Sequence, residues 1–352
     1  MKIETLLPLG KVDPGLRTAD KPLDIMTVAE DAKLVESLGY DALMVEETKV
    51  DPFIVMALAA QATTTVGLGT AVAIAFPRSP TITAMSAWTL QKLSKGRFTL
   101  GLGTQVKGHI ERRYGMTWSP AGPWIREYVA AVRAVWDCWQ NDTPLDVRGE
   151  HYNMNLMVPL FNPGPIDHPE IPIHLAAVNV VLCQVAGEVA NGIRPHPVCT
   201  ADYIGEVMLP AVREGAAKKE RSLDDFKVSI KPLIATAKTG AELDKRVADV
   251  RARVAFYAST KAYRAAFDFH GLGDLAERLS VMSRDQRWED MPREISDEVL
   301  EKFAVVGTFD EIGQKLRQRY AHVATNAEFS IPIANDADLE TLRGLIKSIH
   351  AA

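Results

Sequence analysis

Cysteine is scarce in this chain. Cys138, Cys183 and Cys199 are three among 352 residues, widely spaced and without a Cys-x-x-Cys pair, which excludes a disulfide framework and leaves buried free thiols as the expectation. Long apolar runs are missing as well. None approaches a membrane span, and the opening Met-Lys-Ile-Glu-Thr-Leu-Leu-Pro lacks the apolar core of a secretion signal. A cytoplasmic protein with no membrane partner is expected. Basic runs do not exceed a pair, and the net charge is −5 with both signs interspersed, so no nucleic-acid partner is expected.

Catalytic signatures are also sparse. His151, His168, His174 and His196 show no metal spacing, and His109-Ile-Glu-Arg-Arg lacks the second histidine of a zinc helix, so no catalytic metal is expected. A Gly-x-Ser-x-Gly elbow and a phosphate loop ending in Gly-Lys-Ser/Thr are both missing, which disfavours a hydrolase or a nucleotide kinase. A dinucleotide fingerprint wants a third glycine where Val106 stands, and the chain runs on into a polar segment instead of opening a helix.

What the chain does have is alternation. Ile25, Val28, Ala29, Ala32, Val35 and Leu38 recur at helical spacing, Gly39 follows as a helix stop, and a strand over 42–45 comes next. The cycle repeats with helix 52–61, strand 66–72, helix 80–93 and strand 97–100, with proline near helix starts and glycine beyond their ends. A long helix around Ile125 to Trp139, an extended excursion over 141–170, strand 171–175, helix 180–190, a short strand 193–195 and a strand 228–235 follow. Thr308-Phe-Asp-Glu311 has the form of a capping box, and a strand over 328–333 precedes a terminal helix. With strand 2–7 this makes eight alternating units, which favours a (β/α)8 TIM barrel over an open sheet. Residues 259–303 exceed one connection and read as a helical insertion after strand seven, within a single domain spanning 1–352.

In such a barrel the ligand site lies at the carboxyl ends of the strands. Residues 94–105, Ser-Lys-Gly-Arg-Phe-Thr-Leu-Gly-Leu-Gly-Thr-Gln, place a turn, a buried strand and a glycine-bearing strand end in succession. Gly101 and Gly103 would let a flat ring approach the backbone, while Thr104 and Gln105 offer polar groups at the same edge. Relief of crowding is the alternative for the two glycines. Glu46, Glu47 and Thr48 follow strand two, Ala71 to Ala75 strand three, Lys107 and His109 strand four, Ala176 to Asn179 strand five, and His196 strand six. Of the adjacent pair Glu46 and Glu47, only one is expected to face the cavity, and a rim carboxylate there could have its pKa raised for acid or base work, with a salt-bridged or solvated loop as the alternative. Ala177-Val178-Asn179 opens a helix whose free amides suit a phosphate.

Leu90-Gln-Lys-Leu-Ser-Lys-Gly-Arg-Phe-Thr-Leu-Gly-Leu-Gly-Thr104 resembles the strand-four signature of the bacterial luciferase-like monooxygenase superfamily. Arg78-Ser-Pro80, Arg126-Glu-Tyr-Val, Pro172-Ile-His-Leu-Ala-Ala177, Ala186-Gly-Glu-Val-Ala-Asn-Gly192 and Val306-Gly-Thr-Phe-Asp-Glu311 look like further segments of that family, in its order. The chain is most similar to the coenzyme F420-dependent oxidoreductase branch. The resemblance implies a deazaflavin lying across the strand ends, a hydride passed between it and a small organic substrate, and a homo-oligomer, a dimer by analogy. It implies contacts to the ring from Glu47 and Thr48, to the ring or its ribityl chain from Thr104, and a bulge at Ala71 and Val72 where relatives often carry a non-prolyl cis peptide. It also implies a phosphate turn at Ala176, Ala177, Val178 and Asn179, with Val180 opening its helix. Gln105 belongs to the same cofactor rim, and Lys107 is a plausible partner for an anionic tail. His109 and Glu47 are the candidate proton donor or acceptor. Thr48 stands where the sugar-phosphate dehydrogenases of the branch have a catalytic histidine and Val106 where they have an acid, which argues against that activity. An FMN-dependent monooxygenase and a flavin-binding homologue without catalysis are the alternatives. Tyr263, Phe267, Phe269, His270 and Trp288 of the insertion suggest an apolar or cyclic substrate, with simple core packing as the alternative.

Overall fold

The computed structural model describes residues 1–11 and 22–350. Eight parallel strands form the barrel: β1 (Lys2–Leu6), β2 (Ala42–Val45), β3 (Gly67–Thr70), β4 (Phe98–Gly103), β5 (Ile173–Ala177), β6 (Gly192–Pro195), β7 (Lys227–Ile230) and β8 (Asn326–Glu328). Each pairs in parallel with the next, and β8 pairs with β1, so the sheet closes and leaves no edge. Eight helices pack outside: α1 (Val28–Leu38), α2 (Pro52–Ala62), α3 (Pro80–Ser94), α4 (Ala121–Asn141), α5 (Val180–Val189), α6 (Leu209–Ala217), α7 (Phe309–Tyr320) and α8 (Asp336–His350).

Local chemistry explains these boundaries. Asp51 caps α2 by accepting from the amides of Phe53 and Ile54, and Ser79 caps α3 by accepting from Ile82, each with proline in the first helical position. Thr308 and Glu311 form the expected capping box of α7. Gly39 ends α1 at φ 88°, a backbone state that glycine adopts without penalty.

Several boundaries differ from the sequence reading. The strand expected over 97–100 runs from Phe98 to Gly103, so Gly101 and Gly103 lie inside it. The strand expected over 66–72 stops at Thr70 and resumes at Ala73–Ile74, and the peptide between Ala71 and Val72 is cis. The strand expected over 228–235 is two strands. Pro232, which cannot donate to a ladder, separates β7 from Leu233–Ala237, and the latter pairs outside the barrel with Ala304–Thr308. Between those two strands lie the helices Gly240–Ala258, Arg264–Phe269, Gly273–Arg284 and Asp297–Phe303, so the excursion that follows β7 begins well before residue 259. The long excursion after α4 carries a small antiparallel hairpin, Val147–Arg148 with Asn153–Met154.

Both faces of the barrel strands are buried, but they differ in character. The apolar residues that alternate outward pack against the helices in one large cluster. Inward, strand alternation and register bring Glu4, Arg194, Ser229 and Glu328 together on β1, β6, β7 and β8, with His174 on β5. The other side of the interior is apolar: Leu6, Ala42, Met44 and Ala71 form their own cluster, next to the glycines of β3 and β4.

Candidate functional site

Val72 sets the shape of the small-residue wall. A Cβ built on Gly103 would meet Val72 Cγ2 at 2.5 Å and Ala176 Cβ at 3.8 Å, and one on Gly101 would meet the Thr70 carbonyl oxygen at 1.9 Å. The two glycines therefore admit the turn of chain between β3 and Ala73–Ile74, which occupies the space their side chains would take. Thr70 ties the same two strands together, its hydroxyl donating to the Gly101 carbonyl at 2.6 Å and accepting from the Gly101 amide at 2.9 Å. Relief of crowding thus accounts for Gly101 and Gly103, and the crowding element is the neighbouring chain at Thr70 and Val72. What remains for a flat ligand is a shallow surface of Ala71, Val72 and Ala176 bordered by half-buried Thr104 and Gln105. Gln105 adopts φ 56°, and its own side chain accepts from the Val106 amide at 3.1 Å.

The predicted acid–base candidates fall in different places. Glu47 accepts from both Arg78 and the Ile74 amide, at 2.7 to 2.9 Å, and Arg78 also reaches Asp51 at 3.1 Å. His109 is exposed on the short helix Lys107–Arg112, and Lys107 beside it pairs with Glu111 at 3.7 Å. Thr48 is exposed, and its carbonyl lies 3.4 Å from Arg113. Glu46 faces the interior, bonded to Lys11 at 2.8 Å and Lys231 at 2.7 Å. Burial pushes its carboxyl up, but Lys231 and Lys11 outweigh that and hold it at about 2, opposite to the raised pKa considered for this pair.

The sequence reading missed the charged column. Glu4 pairs with Arg194 inside the barrel, both buried. Lys231, just past β7, lies 3.4 Å from Glu328 and bridges it to Glu46. Burial raises the Glu328 carboxyl above the usual range; Lys231 opposes this, while Glu46 and Glu4 add to it. Burial works against the Lys231 ammonium, but Glu328 and Glu46 outweigh it and keep its pKa above the ordinary lysine value. Four buried polar atoms along this column, on Glu4, Arg194, His174 and Ser229, have no protein partner. The column's local trace in the sequence is only a charged residue between uncharged neighbours, as in Ile3-Glu4-Thr5, Ile193-Arg194-Pro195 and Ala327-Glu328-Phe329.

His196 stands at the end of β6, stacked on Tyr263 at 4.0 Å and edge-on to Tyr257 at 4.7 Å. Burial, with Lys231 and Arg253 nearby, lowers its pKa to about 3, so the imidazole is neutral. This aromatic group joins the post-β7 excursion to the barrel mouth. Beside it, Lys11, Lys231, Glu328 and Ser330 from the barrel and Leu233, Ile234 and Val250 from the excursion line a cavity.

At the phosphate turn, Asn179 caps α5 through its side chain, which takes the Leu182 amide at 2.9 Å. The helix starts at Val180, so the amides of Val180 and Val181 are the ones left at its open end. Ala177 is buried, and the Val178 carbonyl accepts from the Tyr203 hydroxyl at 3.1 Å. Among the described residues no group of three or more His, Cys, Asp or Glu is placed to hold a metal ion, and no helix is long and apolar enough to cross a membrane. The three cysteines are buried free thiols.

A closed parallel barrel with ionisable groups on its axis and a cavity at the carboxyl ends of its strands is the architecture in which ligand sites lie at that end. The chain matches the luciferase-like monooxygenase family over residues 6–326 and belongs to that family. It is 39% identical over 329 residues to the uncharacterized protein Rv1360 of Mycobacterium tuberculosis, covering 94% of this chain and 96% of that one. Another M. tuberculosis protein, provisionally named a coenzyme F420-dependent oxidoreductase, is 27% identical over 334 residues, covering 86% and 88%. Among solved structures, the coenzyme F420-dependent tetrahydromethanopterin reductase from Methanopyrus kandleri superposes with a TM-score of 0.74 at 21% identity, over 99% of this chain and 97% of that one, which shows the shared fold.

Proposed function

We propose that this protein is an oxidoreductase that binds coenzyme F420 and passes a hydride between it and a small organic substrate. The observation that carries the reading is the make-up of the barrel mouth: a surface of small residues at Ala71, Val72 and Ala176 lies beside a column of ionisable groups, Ala176 being the strand neighbour of Arg194, and that column includes a carboxyl raised by burial, Glu328. The provisional name of the 27% identical relative supports the choice of cofactor.

The residues present suit such a group. Ala71, Val72 and Ala176 offer a surface without bulky side chains to the flat face of a ring, with Thr104 and Gln105 at its polar edge. The Val180 and Val181 amides at the start of α5 suit a phosphate, since free helix-start N–H groups carry partial positive charge. The bound deazaflavin would supply hydride transfer at its ring C5. A proton must accompany that hydride, and the chain's part is to hold it. Glu328, whose neutral form burial favours, is a better carrier than Glu47, which Arg78 and the Ile74 amide fix as an acceptor, or His109, which is open to solvent. Lys231 holds Glu328 in place at 3.4 Å, and Glu46 in turn holds Lys231. The cavity beside His196 and Lys231 is the place for the substrate.

Fluorescence titration with F420 and with FMN tests the reading. F420 binding at least about tenfold tighter, a difference of about 1.4 kcal/mol, is expected. Equal or tighter FMN binding, with turnover of reduced FMN and oxygen, would replace it with an FMN-dependent monooxygenase; binding of either without turnover would leave a ligand-binding homologue.

A further inference from the structure

His196 carries one hydrogen-bond donor that no described residue uses. Proline stands on either side of it, in Pro195-His196-Pro197, and restricts the backbone there. Pro197 is the second residue of a tight turn that closes where the His196 carbonyl accepts from the Cys199 amide at 2.8 Å. Inside that turn the Val198 amide donates to Nδ1 of the His196 ring at 3.3 Å. With Tyr263 stacked on one face and Tyr257 meeting the ring edge-on, the imidazole is held in one orientation at the carboxyl end of β6.

The Val198 bond also sets the tautomer. A backbone N–H is always the donor, so Nδ1 is the bare nitrogen and the neutral imidazole carries its proton on Nε2. That N–H finds no acceptor among the described residues. The alternation that turns Arg194 toward the barrel axis turns His196 to the same side, beside Lys231 and the cavity at the mouth. Lys231 and Arg253, the charged groups that bear on His196, are donors themselves and cannot take this hydrogen.

We propose that the Nε2–H of His196 holds the oxygen on the substrate's reacting carbon, and that the substrate is therefore a carbonyl compound or the corresponding alcohol. This deepens the hydride-transfer reading above and rests on it. A hydride that forms a C–H bond at a carbonyl carbon sends the π pair onto oxygen, where negative charge develops. A donor already fixed toward that oxygen stabilises the charge with no reorganisation. The oxygen then takes the Glu328 proton, so that the carbonyl is reduced to the alcohol and the reduced deazaflavin that gave the hydride is oxidised. His196 itself is no proton source here, because a neutral imidazole would have to become an anion. Other hydride acceptors fit this donor worse. An isolated C=C bond has no lone pair to accept it, and an iminium nitrogen has none either and would bring a positive charge beside Lys231 and Arg253.

The test uses the full-length protein with 15N-labelled histidine, the His196 signals being those lost in His196→Phe. The two ring nitrogens should read as a protonated Nε2 and a bare Nδ1 at neutral pH. Butanone and 2-butanol should move the Nε2 signal, whereas 2-methyl-1-butene, which has the shape of butanone without its oxygen, should not. His196→Phe keeps a ring against Tyr263 but has no N–H; by ligand-observed NMR it should weaken butanone binding about tenfold, the scale of one hydrogen bond, with the hydrocarbon unaffected. With reduced F420 and a panel of short ketones, His196→Phe should lower kcat at least about a hundredfold, and His196→Gln, which retains a side-chain N–H, should recover most of it.

A proton on Nδ1, or an Nε2 signal unmoved by both oxygen-bearing probes, would overturn the proposal. So would equal losses of butanone and hydrocarbon in His196→Phe, since the ring would then only shape the cavity, or turnover confined to compounds without a carbonyl or hydroxyl group. The nitrogen signals and probe binding need no cofactor, which separates the two readings. Failure to bind F420 with a responsive Nε2 would remove the cofactor and leave the oxygen contact standing, and F420 binding with a silent Nε2 would do the reverse.

Discussion

Arg78 donates through one nitrogen to both carboxylate oxygens of Glu47, at 2.9 and 2.7 Å, and through the other to Asp51 at 3.1 Å. Glu47 also takes the Ile74 amide, and Asp51 caps α2, so this one guanidinium ties the loop after β2 to the chain after β3. Glu47 is thereby a brace of the small-residue wall. Glu47→Gln should cost about 2 kcal/mol in denaturant unfolding, the scale of hydrogen bonds to a charged partner. It should weaken cofactor binding without moving the pH profile of turnover. A shifted profile with unchanged stability would return Glu47 to the role of proton carrier.

Glu328 is the opposite case. Glu328→Gln should lower turnover by about 10²–10⁴-fold, the range of a lost general acid, while His109→Ala leaves it unchanged. Because the folded environment raises the Glu328 carboxyl, its protonated form persists above the usual carboxylate range; the rate of a step that needs the acid should fall as pH rises through that raised pKa. The glutamine variant should lose this limb of the profile. A full pH profile retained in Glu328→Gln would show that another group supplies the proton.

The outer shell of the fold was legible because its signals are local. Asp51-Pro52, Ser79-Pro80 and Thr308 with Glu311 each state a helix start within four residues. The charged column was not legible for a physical reason. Barrel strands are buried on both faces, so neither the helix side nor the axis stands out by polarity alone, and Glu4, Arg194 and Glu328 meet only through register between strands distant in sequence. Pro232 did carry a readable signal, since proline inside a presumed strand argues for a break. The role of Glu47 needed the position of Arg78, 31 residues away.

Glu36 offers a pH test of the outer shell. One of its oxygens takes the amides of Thr64, Thr65 and Val66 at 2.6 to 3.0 Å, fastening α1 to the turn before β3. Burial raises its carboxyl, but these three bonds, with a fourth from the Thr65 hydroxyl at 2.9 Å, outweigh it and hold it at about 2, against an ordinary 4.5. A lowered carboxyl contributes stability above the unfolded value and loses it as pH falls, so the window runs from about pH 4.5 down to 2. Allowing for solvent screening at this half-exposed site, the contribution at neutral pH is about 1–2 kcal/mol. Glu36→Gln should be less stable by that amount at pH 7 and match the parent near pH 2, by chemical denaturation at each pH. A constant difference at both would mean that the charge is not what matters there.

Gly101 and Gly103 separate two kinds of crowding on one strand. At Gly103 the added methyl would meet the end of a side chain, Val72 Cγ2 at 2.5 Å, whereas at Gly101 it would meet backbone, the Thr70 carbonyl oxygen at 1.9 Å. A side chain can turn or be trimmed; a paired strand cannot move without breaking its ladder. Gly103→Ala should therefore cost about 1–3 kcal/mol, in the range of overpacking, and weaken cofactor binding by displacing Val72. Val72→Ala in the same chain should restore much of the stability, because it removes the atom that collides, and the coupling should appear as a non-additive term in a double-mutant cycle. Gly101→Ala should cost more and gain nothing from Val72→Ala. Equal rescue at both positions would show that Val72, and not the β3 backbone, sets the limit on this wall.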